Sequence, residues 1–255
     1  MSIQVTPVTI DVSPPLATLT HIHTNHHSTR PGRNPLRSNH NIDLTSSYGT
    51  SHHERNHTDI RIFFQNTKGL SYSSTGEDYD YYLPCTKSIG ADIIGMAETN
   101  TAWQHHHLRQ LFTARSRQHY QIAKPSFGFP SNDIDPIPER ETYQSGGTIT
   151  LSTRDLVPMA FGADITDPSG LGRWSGQTFR GKDNHFLSVI TGDRVCKGSI
   201  ASSPIGSAFS REYEHHQSQG KTAPRPRKLF LTDLSDIIQN LQSQGHAILL
   251  MMDSN

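Results

Sequence analysis

His246-Ala-Ile-Leu-Leu-Met-Met-Asp253-Ser-Asn255 decides how this chain is read. The apolar run from Ala247 to Met252 has the length and continuity of a strand covered on both faces, as in α/β enzymes that carry catalytic groups at strand ends. Side chains two positions apart on an extended strand point to the same side, so Asp253 and Asn255 would face one way. That geometry suits holding a water or a metal-bound phosphate oxygen at the rim of a sheet. A turn is the competing reading, because Asp and Ser are common turn residues.

Upstream residues favour the strand. Leu234, Ile237, Ile238 and Leu241 recur at the spacing of one helix face, Thr232 can cap the start and Gly245 can end it. Two earlier apolar runs also finish on polar groups. Ile60-Arg-Ile-Phe-Phe-Gln-Asn66 combines branched and aromatic residues and stops at an amide before a Lys68-Gly69 turn. Ile93-Ile-Gly-Met-Ala-Glu98 stops at a carboxylate.

Between these runs the spacing predicts a loop over 71–80, a short helix over 79–89 weakened by Pro84, and a helix that starts at Thr99-Asn-Thr101 and continues to about His119. Leu108, Leu111 and Phe112 share its apolar face, and Arg109, Arg115 and Arg117 lie on the others. Those arginines are either a solvated face or contacts to a phosphate backbone. Residues 125–145 read as an irregular connection. Gly146-Gly147 then opens a strand ending at Ser152, the glycines allowing close approach or simply a turn. Arg173–Phe179 and His185–Thr191 read as a hairpin around Arg180-Gly-Lys-Asp-Asn184. Residues 196–227 read as loop, including the basic run Pro224-Arg-Pro-Arg-Lys228, an exposed loop or a nucleic-acid contact.

At 255 residues the chain could form one large or two small domains. The hydrophobic share, 33%, implies that part of it stays outside a core. Residues 1–57, with eight of the sixteen histidines, are that part: a disordered His/Ser/Asn-rich tail ahead of a domain at 58–255. Zinc or nickel capture by its His-x-His and His-His pairs is the minor alternative, since no cysteine or carboxylate sits at ligand spacing. Net charge is zero, so affinity for phosphate must come from local basic patches or bound cations. Two cysteines make no disulfide framework, and no apolar run approaches the ~20 residues of a membrane span. An intracellular, unsecreted protein is the expectation, the nucleus included.

A fold that gathers Asn66, Glu98, Asp253 and Asn255 would join strand ends far apart in sequence. Glu98 and Asn66 offer the hard oxygen ligands that Mg²⁺ (or Mn²⁺) prefers. Asp253 could orient or deprotonate an attacking water, and Asn255 could donate to charge developing on phosphorus. Phosphoester hydrolysis is the reaction class this set suits.

Gln65-Asn66, Ile93–Glu98-Thr99, Gly146-Gly147-Thr-Ile-Thr-Leu-Ser152 and Leu250-Met-Met-Asp253-Ser-Asn255 together resemble the endonuclease/exonuclease/phosphatase superfamily, and look most like the endonuclease domains of LINE-type retrotransposons. The resemblance covers about residues 58–255. It implies a four-layered α/β sandwich of two packed mixed sheets with helices outside. It also implies Asn66 and Glu98 as ligands of the divalent metal, Asp253 and Asn255 as catalytic residues, and nucleic acid, DNA first, as substrate. We further expect Arg109, Arg115 and Arg194 to contact that substrate.

Two departures qualify it. Asp193 stands where the family commonly has a tyrosine that approaches the scissile phosphate, and an acid there would repel phosphate unless a cation sat on it. The family's later motifs, a further Asp and an Asp-His pair, would fall beyond residue 255, so we expect a C-terminally truncated domain lacking its last strands, with weak or no activity. The alternatives are an inactive binding or interaction remnant of the same fold, and a phosphomonoesterase or sphingomyelinase relative.

Overall fold

Alternation along Thr148-Ile-Thr-Leu-Ser-Thr153 sends Ile149 and Leu151 to one face of a strand and hydroxyls to the other, and all six residues are buried. A strand with two different buried faces belongs at the centre of a layered structure. The computed structural model describes residues 3–10, 17–24, 59–70, 77–196 and 206–254. Its elements in chain order are β1 (Ile3–Ile10), β2 (Ala17–Thr24), β3 (Ile60–Asn66), α1 (Glu77–Ser88), β4 (Ile93–Ala97), α2 (His106–Tyr120), β5 (Ala123–Gly128), β6 (Thr148–Thr153), β7 (Ala160–Thr166), β8 (Trp174–Arg180), β9 (Phe186–Asp193), α3 (Ala208–Ser218), α4 (Pro226–Ser243) and β10 (His246–Asp253).

The strands form two mixed sheets, ordered β1-β2-β3-β4-β6-β5 and β10-β9-β8-β7. Three hydrophobic clusters fill the spaces between layers. Ile94, Met96, Ile149 and Leu151 of the first sheet pack under Leu83 of α1 and Leu108 and Phe112 of α2. Ile62, Phe64 and Ile93 meet Phe179, Val189, Leu249 and Met251 between the sheets. Trp174 and Ile190 pack against Phe230 and Leu234 of α4. Helix, sheet, sheet, helix: this is the four-layered α/β sandwich that the family resemblance implied.

Close approach of the sheets is set by small and hydroxyl-bearing residues. A Cβ built on Gly95 would lie 2.7 Å from Met251 Cε and 2.9 Å from Thr191 Oγ1, so β4 has no room for a side chain there. The hydroxyls of β6 find partners across the gap: Thr150 Oγ1 bonds Thr191 Oγ1 at 2.7 Å, and Thr148 Oγ1 donates to Ser175 Oγ at 3.0 Å. Buried polar atoms satisfied in this way fix the sheets' relative register as well as their separation.

Several expectations need correction. Thr99-Asn-Thr101 does not start a helix. Its backbone pairs with residues 142–147, Thr99 N–H donating to Gly147 O and Asn100 N–H to Gly146 O, and α2 begins at His106. Ala123–Gly128 is a strand rather than part of an irregular connection, because as the edge of the first sheet it tolerates Pro125. Residues 196–227 include α3, capped by Ser207 Oγ accepting from Ser210 N–H at 3.2 Å. α4 starts at Pro226 and takes up Arg227 and Lys228; Thr232 is interior, its hydroxyl on Lys228 O. β10 is the last strand of its sheet among the described residues, and its faces are covered unequally: Met251 is 1% exposed and Leu250 37%.

Within the 1–57 segment expected as a disordered tail, β1 and β2 pair antiparallel, and β2 runs parallel to β3. The branched residues Ile3, Val5, Thr6, Val8, Thr9 and Ile10 suit an extended chain. The segment's other residues, Met1, Ser2, 11–16 and 25–57, lie outside those described. Among the described residues no helix is long and apolar enough to cross a membrane.

Candidate functional site

Parallel pairing of β3 with β4 sets Asn66 opposite Ala97, so Glu98, one residue beyond β4, leaves the sheet beside the Asn66 side chain. β10 runs parallel to β9 in the second sheet and ends on Asp253 at the same edge of the sandwich. The Asn66 amide nitrogen donates to Asp253 Oδ2, joining residues 187 positions apart and from different sheets. The Glu98 carboxyl lies near enough to the same amide for it to favour the ionised form. Asn66 Oδ1 accepts from Lys68 N–H at 2.9 Å, which fixes which end of the amide faces the acids. Three sequence-expected residues, Asn66, Glu98 and Asp253, are therefore brought together, the first and last by a hydrogen bond. Asn255 lies outside the described residues.

Glu98 sits at φ 50°, in the left-handed region, and so does Asn100. A non-glycine residue pays on the order of 1–2 kcal/mol there, so the surroundings must over-determine it. They do: Glu98 O accepts from Gly69 N–H at 2.7 Å and Thr67 Oγ1 at 3.1 Å. Asn100 Oδ1 accepts from Gly146 N–H at 2.8 Å. Gly147, at φ 86°, lets the strand pass where a Cβ would lie 2.8 Å from Thr99 Oγ1, an atom already bonded to Trp103 Nε1 at 2.8 Å. Of the two readings of the paired glycines, close approach of backbone to backbone is the one found.

Burial is the main cause that raises the Glu98 carboxyl above its ordinary range; the Asp253 charge adds to it, and the hydrogen bond from Asn66 and the charge of Lys68 oppose it. Such a site gains from a cation. Mg²⁺ is usually held by one or two carboxylates with water and substrate oxygens completing its octahedron. Glu98 supplies one such carboxylate, while Asn66 Oδ1 faces Lys68 N–H and would join Glu98 on an ion only with its amide turned over. Among the described residues no group of three or more His, Cys, Asp or Glu could hold a metal by itself.

Asp193, which stands where the family commonly has a tyrosine, is buried. Its residue is 7% exposed, it pairs in register with Asp253, and its own N–H donates to Arg173 O at 2.9 Å. Burial first, then the charges of Glu98, Asp253 and Glu212, hold its pKa well above the ordinary aspartate value. The group is buried between the two sheets' strand ends and keeps its proton more tightly than an exposed aspartate.

The arginines are placed unequally. Arg109 donates to Trp103 O and Gln104 O and lies 5.0 Å over the Phe129 ring. Arg115 bonds Gln118 Oε1 and lies 3.8 Å from Asp80. Arg194 is beside the acids: its N–H reaches Asp253 O at 3.1 Å and its guanidinium Ser254 O.

Arg211 of α3 was missed by sequence reasoning. Its guanidinium bonds Asp135 Oδ2 at 3.0 Å and Ser145 O at 2.9 Å, clasping the connection that leads into Gly146. Its neighbour Glu212 is 2% exposed, and burial pushes its carboxyl up to about 7 against the pull of Arg173 and Arg211. The folded state thus keeps a proton that the unfolded chain releases near the ordinary glutamate value of 4.5. That contribution to stability is present below the lower value and is lost as pH rises through the upper one, on the order of 3 kcal/mol in all. Glu212→Gln should therefore melt with the wild type at pH 4.5 and about 5 °C or more above it at pH 8. A melting difference equal at both pH values would exclude this account.

No family model and no curated protein matches the sequence. Among solved structures, the chain is similar to the human Nocturnin catalytic domain with bound sulfate anion, at 15% identity and TM-score 0.43, over 77% of this chain and 64% of that one. It is also similar to an endonuclease/exonuclease/phosphatase family protein from Leptotrichia buccalis, at 9% identity and TM-score 0.30, over 64% of this chain and 63% of that one. The chain spans less than two thirds of the length of either.

Proposed function

We propose that this chain is a member of the endonuclease/exonuclease/phosphatase superfamily, of the LINE-type retrotransposon kind, and that it hydrolyses phosphodiester bonds of nucleic acid, DNA first, with a divalent metal. The observation that carries this reading is the meeting of Asn66, Glu98 and Asp253, drawn from three strand ends in two sheets. Glu98 and Asn66 would hold Mg²⁺ or Mn²⁺, which when bound would supply positive charge to the phosphate oxygens. Asp253, oriented by the Asn66 amide, would accept a proton from the attacking water. Asn255, two residues on, would donate to the phosphorane oxygens. Arg194 would steady the strand through a neighbouring phosphate.

The test is relaxation of supercoiled plasmid by the purified full chain. Nicking that needs Mg²⁺ or Mn²⁺ and stops with EDTA is expected. Nicking unaffected by chelation, or release of phosphate from monoesters only, would overturn it. Affinity for DNA should fall with salt at a slope near −0.9 per phosphate contact, roughly −2 to −3 for a small footprint.

A further inference from the structure

Two loops close on the turn by which Glu98 leaves β4, one from each side. Residues 67–70, just after β3, form the first: Thr67 N–H donates to Ala97 O at 2.9 Å, Gly69 N–H to Glu98 O at 2.7 Å and Leu70 N–H to Thr99 O at 2.6 Å. Residues 144–147, just before β6, form the second: Thr99 N–H donates to Gly147 O at 3.1 Å and Asn100 N–H to Gly146 O at 2.7 Å. The Asn100 side chain lies between the two. Its Oδ1 accepts from Gly146 N–H at 2.8 Å, so Asn100 and Gly146 bond reciprocally. Its Nδ2 faces the first loop, 3.7 Å from where a Cβ on Gly69 would be.

The second loop is itself anchored from α3. Arg211 donates to Ser145 O at 2.9 Å, and Ser145 Oγ accepts from Ala208 N–H at 3.1 Å. The helix comes so close that a Cβ on Gly146 would lie 3.5 Å from the Ala208 Cβ. Asn100 stands at φ 50°, two residues after Glu98 at the same φ. Asn is among the few non-glycine residues that tolerate this region. One side chain thus accepts the unusual backbone of the turn and ties it to a fixed partner.

We infer that Asn100 is a positioning residue: by bridging the loop after β3 and the loop before β6, it locks the left-handed turn that holds Glu98 at the rim beside Asn66. Asn100 acts through Glu98 and does not touch substrate. The consequence for cation binding rests on the function proposed above; the locking of the turn does not.

The experiment uses the full chain with three variants. Asn100→Asp keeps an acceptor oxygen and tolerates the same φ, Asn100→Gly keeps only the backbone freedom, and Asn100→Ala keeps neither. Hydrogen exchange at the Gly69 amide, which is bonded to Glu98 O, is read together with Mn²⁺ affinity by electron paramagnetic resonance, and the amides of β8 serve as the reference for general loosening. In the Gly and Ala variants the Gly69 amide should exchange about tenfold faster or more against an unchanged reference. Mn²⁺ should bind roughly 10- to 100-fold more weakly. The Asp variant should stay within about twofold of wild type in exchange and bind Mn²⁺ no more weakly. Unchanged Gly69 exchange in the Gly and Ala variants, faster exchange matched by the reference amides, or faster exchange with Mn²⁺ affinity intact would each overturn the inference. A wild type that binds no Mn²⁺ would sink the proposed role of Glu98, while Asn100-dependent protection of the Gly69 amide would still uphold the locking of the turn.

Discussion

Glu98→Gln is expected to lower metal-dependent nicking by about 10³-fold, inside the range of 10²–10⁴ for loss of one essential polar group. Its melting temperature should be equal to that of the wild type or slightly higher. The two halves of this result follow from the same geometry. Glu98 is partly buried beside Asp253, and its carboxyl already resists ionisation. A neutral isostere removes that resistance and can still accept from Asn66 through its carbonyl oxygen. It cannot neutralise a divalent cation. Stability gained with function lost is the signature of a site held in a costly state for chemistry. The assay needs both Mg²⁺ and Mn²⁺, because a softened site can keep Mn²⁺ after losing Mg²⁺. Activity within tenfold of wild type in both metals would mean that Glu98 does not hold the ion, and the functional proposal would fall with it.

Why the sequence exposed some of this and hid the rest has a physical reason in each case. β3, β4 and β6 announce themselves because buried strands must be continuous in apolar or β-branched residues, and β10 carries such a run although one of its faces is open. Their ends are legible because a polar residue after such a run cannot remain in the core. Asn66, Glu98 and Asp253 were found that way, from local pattern alone. β7 carries no such pattern, being an exposed edge strand with Phe161 at its surface. β5 contains a proline that argues against a strand until its edge position is known.

α3 was hidden for the opposite reason. Its buried face holds Ser210, Arg211, Glu212 and His216, so hydrophobic periodicity had nothing to detect. The burial of Asp193 was likewise invisible, because it depends on the pairing of β9 with β10 and on the closeness of the other sheet. Register across an interface is a tertiary property. A single sequence marks the residues that could take part and leaves their facing undetermined.

Gly172→Ala should remove most of the protein's stability. Gly172 lies just before β8 at φ 70°, and a Cβ there would overlap the carbonyl carbon and oxygen of Phe129. These are backbone atoms, which cannot rotate aside as a side chain can. Relief requires the segment at Phe129 to separate from the segment at Gly170–Gly172, breaking the Ser131 N–H to Gly170 O bond of 2.8 Å and lifting Phe129 from under Arg109. We expect a loss on the order of 4–5 kcal/mol, out of a total stability of roughly 5–15 kcal/mol.

Gly162→Ala is the matched control. Gly162 has φ 73°, and a Cβ added to it would meet nothing within 4 Å, so the substitution isolates the conformational penalty, about 1 kcal/mol. Urea midpoints for the two variants separate steric from backbone cost, and equal midpoints would refute the steric account. The consequence reaches the site. Phe129 leads into Asp135, whose carboxylate is shared by Arg211 and Gln144, and Gln144 precedes the glycine pair that carries Asn100 and the strained turn after Glu98. A partly folded Gly172→Ala protein should therefore lose Mn²⁺ binding at a lower urea concentration than it loses its helices, because the turn at Glu98 hangs directly on that connection, which α2 touches only at its start, through Arg109 and Gln104.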